Sequence, residues 1–101
     1  MLYITLICAA GMSTSMLTQR MQKAAEKKGV EANIIALPES KFRNYKEKTD
    51  VLLLGPQVRY LYDEIKAEFE PKGLKVAVID MRDYGMMNGE KVLEDAIKLL
   101  G

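Results

Sequence analysis

The sequence has one cysteine and no histidine. A single thiol closes no internal disulfide, and without histidine it lacks the usual partners for a zinc site or for a Cys–His nucleophile. Zinc and cysteine-protease chemistry are disfavoured, and no metal or organic cofactor is expected. Charge of one sign is not in excess either, since 15 basic residues face 14 acidic ones for a formal net charge of +1. Neither nucleic acid nor an anionic membrane surface is therefore expected as a partner. Long apolar runs are missing: stretches such as Val51 to Gly55 fall far short of the roughly 18 to 20 residues that cross a bilayer. Met1 leads straight into a strand-like run with no basic n-region, so export is not indicated, and a cytoplasmic chain with no direct membrane insertion is expected.

Against these absences, 49% of the 101 residues are apolar, enough for one core in one domain spanning residues 1–101. No repeat, low-complexity tract or linker divides it. Leu2 to Ile7 is a nearly continuous apolar run that ends at a small-residue turn and reads as a strand buried on both faces. From Ser13 onward, Met16, Leu17, Met21, Ala24 and Ala25 recur at helical spacing, and Gly29 stops that helix. Ala32 to Leu37 is a second strand, interrupted at Pro38 to Ser40 before a polar, weakly helical stretch around Phe42 to Lys46. Val51 to Leu54 is a third, ended by Gly55 and Pro56, after which Val58, Leu61, Ile65 and Phe69 mark a helical face. Leu74 to Ile79 is a fourth strand, Asp80 to Asn88 a loop, and Val92, Leu93, Ala96, Ile97 and Leu100 a last amphipathic helix. Alternating apolar strands and helices imply an α/β fold: a four-stranded parallel sheet of order 2-1-3-4, helices on both faces and right-handed crossovers.

In such sheets ligands bind beyond the carboxyl ends of the strands, where the strand order reverses. Here that point lies between strands one and three, and the only thiol sits there. In the segment ICAAGMSTSM, from Ile7 to Met16, Cys8 ends the strand and faces the start of the first helix, where free N–H groups and the helix dipole favour anions. Ala9, Ala10 and Gly11 are small enough for successive amides to converge on one oxyanion. Met12 lies in the same loop, and Ser13, Thr14 and Ser15 offer hydroxyls that cap the helix or meet phosphate oxygens. Each residue also has a plainer role. A lone cysteine is commonly a small core residue, serine and threonine at a helix start are commonly only caps, and Met12, Met16, Met86 and Met87 serve as packing or contact residues.

CAAGMSTSML from Cys8 to Leu17, LLLGPQVRY from Leu52 to Tyr60, and Tyr84 with Gly85 together resemble the enzyme IIB component of the lactose/cellobiose (chitobiose) branch of the bacterial sugar phosphotransferase system. The resemblance runs nearly the whole chain. It implies a phosphocysteine at Cys8, charged by a phosphohistidine on enzyme IIA and discharged to a sugar in the membrane-embedded enzyme IIC. It also implies a phosphatase-like phosphate loop from Ala9 to Ser15, with Pro56, Gln57 and Tyr84 on neighbouring loops at the rim. Low-molecular-weight tyrosine phosphatases are a second resemblance of architecture, but their pattern has an arginine six positions after the cysteine, where this chain has Thr14. Without that clamp, phosphatase transition-state stabilisation is expected to be weak. Asp80 and Asp83 stand where a phosphatase general acid would be and are expected to cap or to be solvated. A reversible redox thiol is a further alternative, weakened because no resolving cysteine exists.

Overall fold

Leu2–Cys8 form β1, the strand on which the sheet is built. The computed structural model describes residues 1–8, 14–42, 44, 45 and 48–100, with Thr14 and Ser15 as backbone only. Along β1 and β3 (Val51–Leu54) the apolar residues divide by strand alternation. Ile4, Leu6, Val51 and Leu53 enter one core, while Ile7, Leu52 and Leu54 enter another on the opposite face. Two covered faces explain why both strands are apolar with almost no polar interruption. The exception, Thr5, is 1% exposed and shares a hydrogen bond of 2.9 Å with the Thr49 hydroxyl.

The sheet order is β2-β1-β3-β4, all parallel, with β2 at Ala32–Pro38 and β4 at Lys75–Val78. The first core is closed by α1 (Thr14–Lys28) through Leu17, Met21, Ala24 and Ala25. The last helix of the chain contributes Val92, Leu93 and Ala96 to the same core. Each fully buried aliphatic side chain of this kind contributes on the order of 1.5–3 kcal/mol. Gly29, at φ +72°, ends α1 in the left-handed conformation.

The second core is covered by a short helix α2 (Glu39–Phe42), by a 3₁₀ segment (Pro56–Leu61) and by α3 (Tyr62–Phe69). Phe42 packs edge-to-face on Phe69, with centroids 5.1 Å apart. After β4 come α4 (Met81–Gly85) and α5 (Gly89–Leu99). Asp80 caps α4, its carboxylate accepting from Arg82 N at 2.8 Å, and Asn88 caps α5 by accepting from Lys91 N at 3.1 Å.

Some expectations are corrected. The segment from Asp80 to Asn88 is not all loop, because the Asp80 cap starts α4 inside it. Strand two runs through Pro38, which an edge strand tolerates because the missing N–H has no neighbour to bond; the helix then lies at Glu39–Phe42, earlier than expected. The helical face from Val58 begins as a 3₁₀ segment with a non-helical Val58 (φ −116°), although Val58, Leu61 and Ile65 are buried as expected. Met16, placed on the apolar face of the first helix, is half exposed, one position round from the buried Leu17 and Met21 stripe. Leu100, assigned to the last apolar face, is exposed as well.

Candidate functional site

β1 delivers Cys8 to the carboxyl edge of the sheet as its last residue, opposite Pro38 of β2. The thiol is buried, and its sulfur donates to the Leu37 carbonyl oxygen at 3.6 Å. On the other flank the ladder between β1 and β3 runs one step past β3, as Gly55 N donates to Ile7 O at 2.9 Å. Cys8 therefore stands where the connections from β1 and β3 leave in opposite directions, to β2 on one side and to β4 on the other. Thr14 and Ser15 open α1 on the described backbone. Ala9, Ala10, Gly11, Met12 and Ser13 lie outside the described residues.

The three residues expected at the rim come together. Pro56, Gln57 and Tyr84 line one open depression of about 280 Å³, with Arg59, Met81 and Gly85. Pro56 and Gln57 arrive there because Gly55 ends β3 and Pro56 starts the 3₁₀ segment. Tyr84 arrives on α4, whose start is fixed by the Asp80 cap and by Ile79 N donating to Leu54 O at 2.8 Å. A Cβ on Gly55 would sit 3.7 Å from Cε1 of Tyr84 and 3.6 Å from Ile7 O, so the tyrosine ring lies against the backbone that leads into Cys8.

Tyr84 is only 7% exposed, and its hydroxyl has no hydrogen-bond partner among the described residues. Burial pushes that hydroxyl above the ordinary tyrosine value of 10.0, and the negative charge available at Cys8 pushes it the same way. Asp80 caps, as anticipated, and Asp83 lies 3.8 Å from the Lys91 ammonium. Arg59, which the sequence reading did not single out, brings a cation to the same depression. Its signal was present, since it is the only charged residue in the GPQVRY segment.

Residues 3–95 match the family model described as "PTS system, Lactose/Cellobiose specific IIB subunit". The chain belongs to this family. A galactose-specific EIIB component from Lactococcus lactis is 46% identical over 102 residues, covering 96% of this chain and 94% of the relative. The solution structure of a cellobiose-specific phosphotransferase IIB component from Borrelia burgdorferi is 44% identical, with a TM-score of 0.76 over 97% of this chain and 90% of that one. A lactose-specific EIICB component of Streptococcus mutans is 28% identical over 80% of this chain, which corresponds to 14% of that longer protein; its name joins C and B components. As a IIB subunit the protein is a phosphotransferase component, and phosphoryl transfer is its chemistry. No described helix is long and apolar enough to cross a membrane.

Proposed function

We propose that this IIB subunit carries the phosphoryl group as a thiophosphate ester on Cys8. It takes the group from a phosphohistidine of enzyme IIA and gives it to a sugar bound in the membrane component IIC. The supporting observation is the position of the only thiol of the chain, at the end of β1 and at the reversal of strand order, in a IIB family member. In the first step the sulfur attacks phosphorus in line. The P–N bond breaks as S–P forms, and the imidazole keeps the electron pair and takes up the proton that the thiol gives up. In the second step a sugar hydroxyl oxygen displaces sulfur, O–P forms, and the hydroxyl proton returns to the thiol. Amides of the loop from Ala9 to Ser15, including those of Ala10, Gly11, Met12, Ser13 and Thr14, balance the phosphoryl charge. Pro56, Gln57 and Tyr84 form the rim on which both partners alternate.

The sugar is a β-glucoside or a disaccharide of the cellobiose, chitobiose or lactose type, and the subunit works in the cytoplasm. Partner contacts are transient, because a carrier that held either partner tightly would limit the flux. Thr14 in place of the phosphatase arginine favours a carrier over a hydrolase, since the thiophosphate must survive until the next partner arrives. The test is to supply phosphoenolpyruvate with catalytic amounts of the upstream proteins, confirm one added phosphoryl group by intact mass, and compare amide spectra. Large shifts over residues 9–15, smaller ones near 55–57 and 84 and almost none in α5 are expected. Unmoved loop amides in a phosphorylated protein would remove the cradle.

A further inference from the structure

Buried polar groups in folded proteins are nearly all hydrogen-bonded, and an unpaired one calls for an explanation. The Tyr84 hydroxyl is the one buried side-chain oxygen or nitrogen without a partner among the described residues. It is not a loose side chain. Tyr84 belongs to the first core, on a helix capped by Asp80, and it lies against Gly55, whose amide is tied to Ile7 next to the thiol. Its ring therefore cannot swing into solvent to satisfy the hydroxyl without opening that core. The other donors of the depression differ in this respect, because Gln57 and Arg59 are exposed. Tyr84 is also near enough to Cys8 for the two to interact electrostatically.

We propose that the Tyr84 hydroxyl donates a hydrogen bond to a non-bridging oxygen of the phosphoryl group on Cys8, so that this buried donor is satisfied only in the phosphorylated protein. The proposal rests on Cys8 being the carrier. Phosphocysteine then brings three acceptor oxygens to a fixed, dehydrated donor, and the bond is charge-assisted. Because the donor is held in place before the group arrives, little ordering accompanies its formation. The unpaired hydroxyl of the resting state and the stability of the charged state thus have one origin.

Tyr84→Phe separates the possibilities. The phosphorylated fraction of Cys8 is measured by intact mass at several ratios of phosphorylated to unphosphorylated IIA, for wild type and variant. The variant's equilibrium should move away from phosphocysteine by about ten- to a hundredfold, the effect of one lost charge-assisted bond. The unphosphorylated variant should melt at the wild-type temperature or above, since it loses a hydroxyl that had no partner. In wild type, the Cζ resonance of Tyr84 should move on phosphorylation. An unchanged equilibrium in the variant, or a Cζ resonance that stays put in phosphorylated wild type, overturns the role of Tyr84 and leaves the carrier intact. A variant that melts several degrees lower while unphosphorylated also overturns it, because the hydroxyl must then have a structural partner. Absence of phosphocysteine in wild type removes the carrier assignment and this proposal together.

Discussion

Cys8 and Tyr84 differ in what a conservative substitution removes. Cys8→Ser preserves the size of the residue and a donor for the Leu37 carbonyl, so the folded state should melt within a few degrees of wild type. Phosphoryl acceptance should nevertheless disappear, because a serine hydroxyl is a poor nucleophile without a base and the chain has no histidine to act as one. Transfer assays with the folded variant check this, and full activity in the Cys8→Ser protein would refute the nucleophile. For Tyr84 the raised value has a pH consequence. Folding favours its neutral form, so its contribution to stability is complete below the unfolded tyrosine value near 10.0 and is lost as pH rises through the higher folded value. An alkaline absorbance titration should contain a late step from Tyr84, and Tyr84→Phe should remove it. The placement of Cys8 at the carboxyl end of β1 was readable from sequence, as a lone thiol at the end of an apolar run. The buried hydroxyl of Tyr84 was not, because burial of a residue at the end of a short helix depends on how α4 packs, which no periodicity encodes.

Among the elements, two glycines make opposite demands on the fold. A Cβ on Gly89, the first residue of α5, would lie 2.6 Å from backbone atoms of Arg20 and Met21, so the approach of α5 to α1 requires its absence. Gly89→Ala should destabilise by roughly 1–3 kcal/mol through overpacking against backbone that cannot step aside. Gly55 has an ordinary φ of −62° and its added Cβ would meet neighbours at 3.4–3.7 Å, so Gly55→Ala should change stability by no more than about 0.5 kcal/mol. Denaturant midpoints of the two variants test the contrast. The strands were clear in the sequence because double-sided burial leaves long apolar runs, as in VLLL of β3. Short α2 was misplaced and α4 was read as loop for a physical reason: four- and five-residue helices complete too few turns for a periodic face, and caps such as Asp80 decide where they begin.

For the molecule as a whole, the strand order 2-1-3-4 follows from element succession plus the rule of crossover connections, and it puts the thiol at the switch point without further information. The gathering of Pro56, Gln57 and Tyr84 in one depression came from the same topology, since their segments follow β3 and β4, while Arg59 went unnoticed because its turn only becomes a rim in three dimensions. A carrier and a phosphatase built on this scaffold differ in what the purified protein does alone. Aryl phosphates should be hydrolysed at a negligible rate even in excess, and rapid turnover inhibited by inorganic phosphate would favour the hydrolase. The most direct measurement localises the phosphoryl group after charging with phosphoenolpyruvate, the upstream proteins and IIA, by fragment mass spectrometry under conditions that preserve thiophosphate esters. One group on Cys8, lost in Cys8→Ser and discharged when IIC membranes and sugar are added, is the expected result; a group on any other residue, or none, would contradict the phosphocysteine carrier.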